Sequence, residues 1–294
     1  MSDITAVLLD TISIQQYVFS SNKLKLNKGA SNIVSGIYKG ILKESLESVL
    51  FHEVELNAWM EKSEEILIKD GKADFEVGYI GGGNALLFFA DYDKAKAFIN
   101  EWTLNLLVYA PGVRVAVAIS EFNIDNFQQE LERLFTQLEA NKGEFITQTT
   151  LPKHGITADC RISGLTGDIY RDLGDESLEQ KDYISSVVMA KLINAENQEE
   201  DVLRHNKSLY TFTNDIDKLG QRDGESYIAI VCIDGNSIGQ LFKKCNDLVK
   251  VRELSKRLHE IMDKAYVQFI EYVISNMNYF TDEESGFRLQ KNED

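Results

Sequence analysis

The sequence predicts an α+β fold with the element order β-α-β-β-α-β over residues 3–120, which is the ferredoxin-like order. Three observations support this prediction: the continuous apolar run Ile4–Leu9, two apolar runs joined by consecutive glycines, and an amphipathic helical stretch that a Pro-Gly pair ends. Continuous apolarity is typical of a strand that is buried on both faces. We therefore expect a four-stranded antiparallel sheet with helices on one face.

Helical sequence follows the first strand. Asp10 ends the apolar run, and the residues from about Ile12 to Phe19 are compatible with a helix. After a polar stretch, a longer helix is expected from about residue 31 to residue 50, because Ser31 or Asn32 can cap its first turn. These helices form the first crossover of the expected fold.

Two strands flank a run of glycines. The apolar segments 75–80 and 85–90 are separated by Gly81, Gly82, Gly83 and Asn84, and glycines between two apolar runs indicate a β-hairpin. Right-handed crossovers would place this turn and the end of the first strand side by side.

The second crossover and the last strand come next. A helix is expected from Asp91 to the pair Pro111-Gly112, followed by a strand at residues 113–119. A polar amphipathic helix is expected at about residues 125–141.

A similar pattern returns near the C-terminus. The apolar run Tyr227–Ile233 ends at Asp234, glycines follow, and a long amphipathic helix is expected from about residue 249 to residue 275. The intervening sequence suggests helices at about residues 177–194 and 196–206. The repeat predicts three parts: a first sheet domain at residues 1–145, a partly helical connection at 146–222, and a second sheet unit, incomplete in this sequence, at 223–294.

The charge balance restricts the possible ligands. The chain has 31 basic and 47 acidic residues, a net charge of −16, which disfavours unaided binding of duplex DNA. A basic groove could still be local, and the candidates are Lys23, Lys25, Lys28, Arg252, Lys256 and Arg257. An anionic nucleotide would need metal ions or backbone dipoles to offset the field of the protein.

Cysteine content and hydropathy restrict the expected cellular location of the protein. Cys160, Cys232 and Cys245 form no C-x-x-C pair, which argues against a disulfide framework and a zinc ribbon. The N-terminus lacks the pattern of a signal peptide. Since no stretch approaches the roughly 18 apolar residues that span a bilayer, we expect a cytoplasmic protein without a membrane segment.

Two aspartates are candidate metal ligands. Asp10 and Asp234 each follow an expected buried strand, and ligands of open α/β sheets gather outside such strand ends. Carboxylates there can hold Mg²⁺, which commonly bridges to phosphates. The alternative is that each aspartate only caps the following helix.

Three groups of glycines and small polar residues are candidate phosphate or sugar ligands. The turn Gly81–Gly83 with Asn84 could cradle phosphate oxygens through backbone N–H groups, or it could be a plain tight turn. Gly235, Asn236 and Ser237 could bind a sugar or phosphate, or cap a helix. Gly29 and Ser31 stand at the expected start of a helix, which suits an anion, although an ordinary loop remains open.

The same segments carry a family resemblance. The stretch from Asp10 to Ser31 resembles the opening of the first palm domain in the large-subunit family of type III CRISPR effector complexes, where an Asp, an Ile-Gln pair, an aromatic-rich helix, a basic-Leu-basic stretch and Gly-Ala-Ser occur in this order. YIGGGNALLFF resembles the glycine-rich hairpin of that domain. IAIVCIDGNSIGQLF resembles the first strand and turn of the family's second palm.

The resemblance implies a ferredoxin-like palm (nucleotide-cyclase-like) domain, then a helical linker and a second, incomplete palm. It implies ATP binding in antiviral defence, other effector-complex subunits with guide RNA as partners, and, in many members, synthesis of cyclic oligoadenylates. The residues implied in nucleotide binding are Asp10, Gly81, Gly82, Gly83, Asn84, Asp234, Gly235, Asn236 and Ser237.

Departures from the family leave the catalytic residues unassigned. Ser13 stands where the family has glycine, and the Gly-Gly-Asp-Asp hairpin, the zinc-binding cysteines and the HD nuclease domain are absent from the sequence. The sequence is therefore interpreted as a fragment or a reduced relative. The protein would be a nucleotidyltransferase only if the second palm is completed. The alternatives are a non-catalytic scaffold subunit and a nucleotide sensor.

Overall fold

The computed structural model describes residues 4–144, 155–172, 181–196, 221–222, 225–226, 235 and 237–276. The strands are β1 (Ile4–Ile12), β2 (Phe75–Gly81), β3 (Asn84–Phe89), β4 (Arg114–Phe122), β5 (Ile169–Asp172), β6 (Lys181–Ile184), β7 (Gln221–Arg222) and β8 (Glu225–Ser226). The α-helices are α1 (Ile14–Val18), α2 (Leu24–Gly36), α3 (Leu42–Leu50), α4 (Ala58–Glu61), α5 (Tyr92–Tyr109), α6 (Phe127–Gly143), α7 (Ser186–Glu196), α8 (Ile238–Lys243) and α9 (Leu248–Ser275). A π-helical turn, Ile37–Ile41, joins α2 to α3, and a 3₁₀ turn, Ile124–Asn126, precedes α6.

The main sheet confirms the expected topology. Its four strands are all antiparallel and lie in the order β2-β3-β1-β4, with one crossover through α1–α4 and a second through α5. This is the ferredoxin-like arrangement. Strand β1 lies in the middle of the sheet and is buried from Ile4 to Leu9, as its continuous apolarity predicts.

Helices α5 and α6 lie on opposite faces of this sheet. The expectation of helices on one face concerned residues 3–120, and α6, which covers the second face, follows that range. Phe88 and Phe89 are neighbours in β3 and therefore project to opposite faces. The ring of Phe89 stacks on Phe98 of α5 at 5.5 Å between centroids, whereas Phe88 contacts Phe122, which in turn contacts Phe127 of α6. The apolar stripe of α6 needs burial, and the second face of the sheet provides it.

The first long helix begins earlier than expected. It starts at Leu24 and continues through the π-helical turn to Leu50, so Ser31 lies inside α2 and does not cap its start. Leu26, Ala30 and Ile33 are buried at helical spacing, and this stripe includes part of the segment that the sequence presents as a polar stretch.

The connecting region is only partly helical. Strands β5 and β6 pair as a hairpin, so the helix expected from about residue 177 begins at Ser186 instead. Helix α7 packs against α2. The helix expected at residues 196–206 and the strand expected at 227–233 lie outside the described residues, apart from Glu196, which ends α7.

Helix α9 has nearly the expected bounds, and Asp247 caps it by accepting a hydrogen bond from the backbone N–H of Lys250. Leu248 and Val251 belong to the same apolar core as the main sheet. The start of α9 thus packs on the first sheet, while the second palm and the three domain boundaries stay predictions. Among the helices that are described, none combines the length and apolar character needed to cross a membrane.

Candidate functional site

A row of four residues crosses the sheet near the hairpin. Gly81 is paired with Asn84 across the β2–β3 turn, Asn84 is paired with Asp10 of β1, and Asp10 is paired with Ala116 of β4. Residues directly opposite each other in an antiparallel sheet project to the same face. The side chains of Asp10 and Asn84 are therefore neighbours, and we call these four residues the Asp10 row.

The glycine turn is a two-residue hairpin loop. Gly82 and Gly83 have φ angles of 62° and 81°, which residues with a β-carbon adopt at a cost. The backbone N–H of Thr11 donates to the carbonyl oxygen of Gly83 at 2.8 Å, which ties the turn to β1. The prediction that Asp10 and the glycine turn lie close together is confirmed.

Neighbouring side chains restrict access to two of the three glycines. A β-carbon at Gly81 would lie 2.8 Å from Cε1 of His259 in α9, and one at Gly83 would collide with Cδ1 of Ile14. Gly82 is exposed. The open side of the turn is therefore at Gly82, next to the side-chain amide of Asn84, which lies 3.9 Å from a β-carbon built there.

Asp10 forms an ion pair with α6. It lies inside β1, two residues before the end of the strand, and its Oδ2 is 2.8 Å from Nζ of Lys142. The same Nζ is 2.7 Å from Oε1 of Glu139. One ammonium group thus connects a carboxylate of the sheet with a carboxylate of α6.

The electrostatics of this pair follow from its partial burial. Burial raises the pKa of Asp10, and the hydrogen bond and positive charge of Lys142 offset part of that effect. Burial alone would lower the pKa of Lys142, but the hydrogen bonds to Asp10 and Glu139 raise it above the usual value for lysine. Lys142 therefore stays charged at neutral pH.

The structure describes only part of the segment from Asp234 to Ser237. Asp234 and Asn236 lie outside the described residues. Gly235 is exposed, and Ser237 precedes α8 with a φ angle of 59° and does not cap it through its side chain.

Helix α8 is nevertheless held on the face that carries Asp10. Phe242 of α8 contacts the ring of Tyr79 at 4.9 Å between centroids. Tyr79 is paired with Leu86 and Leu86 with Leu8, which is two residues from Asp10 and therefore projects to the same face.

Gly29 and Ser31 are not brought to the Asp10 row. Tyr38, just after α2, forms a hydrogen bond with Oγ1 of Thr11 at 2.9 Å, and Thr11 projects to the face opposite Asp10. Gly29 is buried against the backbone carbonyl of Lys191 in α7. The helix start on which the anion-site prediction depended is absent at this position, because α2 begins at Leu24.

Three residues near the site are missed by the sequence interpretation: Glu139, Lys142 and His259. Glu139 and Lys142 are three residues apart on an amphipathic helix, a spacing that places them side by side. That spacing indicates a local ion pair, but it does not indicate the contact between Lys142 and Asp10. The sequence places His259 at the surface or boundary of a helix, and its contact with Gly81 depends on how α9 docks.

The metal-binding capacity of the described residues is limited to small sets of ligands. No group of three or more His, Cys, Asp or Glu side chains converges anywhere in the described part of the chain. Mg²⁺ is often held by only one or two protein carboxylates together with phosphate oxygens and water. Asp10 could supply one such carboxylate, and the ammonium of Lys142 already lies 2.8 Å from it.

No protein-family model matches the chain, and no curated protein matches it. Among solved structures, it is similar to a Csm1–Csm4 cassette in complex with cA4, with 12% identity over 87% of this chain and 38% of that chain and a TM-score of 0.44. It is also similar to the Csm1–Csm4 subcomplex in the type III-A CRISPR-Csm interference complex, with 14% identity over 49% of this chain and a TM-score of 0.36. This chain spans 19% of the length of that second structure's chain.

Proposed function

We propose that this protein binds a purine nucleotide, with ATP as the first candidate, together with Mg²⁺ at the Asp10 row. The observation that carries the proposal is the sheet register, which sets the carboxylate of Asp10 beside Asn84 and the glycine turn. A carboxylate next to accessible backbone is suited to a metal-bound phosphate.

Each part of the site would have a distinct task. Asp10 would hold Mg²⁺, with Asp234 as the candidate second ligand, and the exposed backbone at Gly82 would approach the phosphates. Asn84 and the segment Gly235–Ser237 would contact the sugar or a phosphate. Because the net charge is −16, the metal is needed to offset repulsion between the protein and the nucleotide.

The proposed relationship to a family rests only on the sequence motifs. Their order along residues 4–242 supports a palm protein related to the type III CRISPR large subunit, acting in antiviral defence beside other effector subunits with guide RNA. Mg²⁺, when bound, would neutralise phosphate charge. Nucleotidyl transfer would further require the acidic hairpin that this sequence lacks.

A second candidate is a non-catalytic scaffold subunit. The specific observation in its favour is that Lys142 forms an ion pair with Asp10, so the carboxylate has a partner within the protein when no ligand is bound. In that case Asp10 would stabilise the docking of α6, and the nucleotide would have no role.

Calorimetry with ATP separates the two candidates. We expect the wild type to bind ATP only with Mg²⁺, and Asp10→Asn or Asp234→Ala to lose at least about tenfold in affinity, which corresponds to about 1.4 kcal/mol. Asp70→Asn is the matched control, since Asp70 pairs with Lys72 at the same 2.8 Å but on an exposed loop. Equal binding by all variants, or binding without metal, would refute the carboxylate–metal mechanism. An absence of binding by the wild type would favour the scaffold.

A further inference from the structure

We propose that a cavity beside the edge strand β2 is a second binding site, for a small organic cation that carries an ammonium group on an aromatic or aliphatic body. The cavity has a volume of about 220 Å³ and lies between β2, α4 and the start of α9. None of its lining residues belongs to the Asp10 row. The inference therefore goes beyond the proposed nucleotide site and does not depend on it.

The size and the floor of the cavity fit the apolar body of such a ligand. Its lining includes the buried side chains of Val54, Trp59 and Val77 and the half-buried side chains of Leu67 and Phe75. An apolar cavity of about 150 Å³ holds a benzene molecule, so this larger cavity has room for a ring with a short chain. Aromatic side chains such as Trp59 and Phe75 also attract organic cations through the faces of their rings.

The rim of the cavity is acidic. Glu53, Glu55 and Glu65 are exposed lining residues, and Lys62 is the exposed lysine among them. This local excess of negative charge, together with the net charge of −16, attracts a cation and repels an anion. The apolar floor favours an organic cation over a metal ion such as Mg²⁺, which requires oxygen ligands around it.

The two remaining basic residues of the lining are engaged with other groups of the protein. The guanidinium of Arg252 donates to Oε1 of Glu76 at 2.6 Å and to the carbonyl oxygen of Glu65 at 2.7 Å. The Nε2 atom of His52 lies 3.2 Å from Oδ1 of Asp74. Arg252 and His52 therefore do not offset the acidic rim, and the charge of the cavity is complementary to an ammonium group.

The walls of the cavity are held in place by contacts within the protein. The backbone N–H of Val54 donates to Oε1 of Glu47 at 3.0 Å, which ties the loop after α3 to that helix. The ring of Trp59 packs edge-on against the ring of His259, with 6.4 Å between centroids. A preformed cavity binds a ligand without the cost of ordering a loop.

Trp59 also has an unusual feature for a buried residue. Its indole N–H has no hydrogen-bond acceptor within the described part of the chain, although only 4% of the residue is exposed. Buried polar groups without a partner are rare in closely packed cores. The packing around Trp59 therefore differs from that of a closed core, in agreement with the open cavity that this residue lines.

Nuclear magnetic resonance of isotopically labelled protein tests the site, with phenethylammonium as the probe. The chain has two tryptophans. Trp59 lines the cavity, whereas Trp102 is fully buried in the core and its Nε1 donates to the carbonyl oxygen of Ile37. We expect phenethylammonium to shift the indole signal of Trp59 saturably and to leave that of Trp102 in place. The neutral isostere 2-phenylethanol should bind at least about fivefold more weakly, because it lacks the charge that the rim attracts.

Three variants locate the binding. Ala58 of α4 is an exposed lining residue, and Ala58→Phe should fill the cavity and lower the affinity for phenethylammonium by about tenfold or more. Glu65→Gln removes one charge of the rim and should weaken binding by about two- to threefold, with a smaller effect at high salt. Glu64→Gln is the matched control, because Glu64 is exposed and adjacent in sequence but does not line the cavity.

The opposite results would overturn the proposal. Equal affinity for 2-phenylethanol and phenethylammonium would mean that the cavity does not select a cation. If both indole signals shift together, or if Ala58→Phe and Glu65→Gln bind the probe as the wild type does, the probe binds elsewhere. The absence of a saturable shift up to about 10 mM would mean that the cavity takes no ligand of this class. Mg²⁺-dependent ATP binding should be unchanged in Ala58→Phe, so the failure of either proposal leaves the other standing.

Discussion

Arg252 of α9 donates two hydrogen bonds to the carbonyl oxygen of Val77 in β2, from Nε at 3.2 Å and from Nη2 at 2.6 Å. Its guanidinium also binds Oε1 of Glu76 at 2.6 Å and the carbonyl oxygen of Glu65 at 2.7 Å. Only 1% of the residue is exposed. Arg252 therefore locks α9 to the edge of the main sheet, and its assignment to a basic surface groove is wrong.

Removing the Arg252 guanidinium should destabilise the protein strongly. Arg252→Met leaves Glu76 and the Val77 carbonyl without their buried partner, and breaking a buried ion pair from one side typically costs about 3–5 kcal/mol. We expect a loss of this order in the free energy of unfolding, measured by urea denaturation. The loss should change little between low and high salt, because buried pairs are screened weakly.

Arg257 on the same helix is the matched control for that experiment. It is exposed, and Arg257→Met should change the free energy of unfolding by less than about 0.5 kcal/mol. Similar losses for Arg252→Met and Arg257→Met would show that the hydrogen-bonded network around Arg252 contributes no specific stability.

The contrast between α9 and Arg252 shows what local sequence can predict. The helix itself is predicted at residues 249–275 and is found at Leu248–Ser275. It is predictable because helical periodicity depends on residues that are close together in the sequence. The burial of Arg252 depends on a strand about 175 residues earlier in the chain. An arginine has the same local signature whether it faces water or docks on a distant carbonyl group.

Two glycines of α2 should respond to alanine in opposite directions. A β-carbon at Gly29 would collide with the backbone carbonyl of Lys191, so Gly29→Ala must push α2 away from α7. We expect Gly29→Ala to lower the free energy of unfolding by about 1–3 kcal/mol, as overpacking does. At Gly36, by contrast, a β-carbon would have no atom within 4 Å, and Gly36→Ala should raise stability by about 0.5–1 kcal/mol. Thermal unfolding of both variants checks the signs, and two changes of the same sign would contradict the close α2–α7 contact.

The glycine turn should depend on backbone conformation at Gly82. Its φ angle is 62°, and a β-carbon there meets only the amide of Asn84 at 3.9 Å, so the cost of substitution is conformational. Gly82→Ala should lower the free energy of unfolding by about 1–2 kcal/mol, whereas Gly82→Asn, which tolerates this conformation better, should lose less. Urea denaturation of the two variants provides the comparison. A larger loss for asparagine would show that space, not conformation, limits this position.

The candidate site is predictable where strand pairing is local. A two-residue turn fixes the register of β2 and β3. The crossover places this turn beside the end of β1, but the pairing of Asn84 with Asp10 joins residues that are distant in sequence. The ion pair between Asp10 and Lys142 is not predictable, because it depends on which face of the sheet α6 covers. An amphipathic stripe shows that a helix is buried on one side, but not what lies beneath it.

The buried ammonium of Lys191 should make stability depend on pH. Lys191 is 3% exposed, and its Nζ donates to the carbonyl oxygen of Tyr17 at 2.6 Å and lies 4.2 Å from the centroid of the Tyr17 ring. Burial lowers the pKa of Lys191 from 10.5 to about 8. Between these two values the unfolded chain binds a proton that the folded protein has released, so the free energy of unfolding rises with pH in this window.

We therefore expect the wild type to gain about 2 kcal/mol relative to Lys191→Met between pH 7 and pH 9.5, since each pKa unit corresponds to about 1.4 kcal/mol. Lys191→Met keeps most of the stem and removes the charge, so subtraction cancels the other titrating groups. Stopping at pH 9.5, below the usual tyrosine pKa of about 10, limits the ionisation of tyrosines in the unfolded chain. Lys39→Met, on an exposed position, is the control and should follow the wild-type profile. Chemical denaturation across this range tests the argument, and a wild-type profile parallel to that of Lys191→Met would mean that Lys191 keeps its proton throughout.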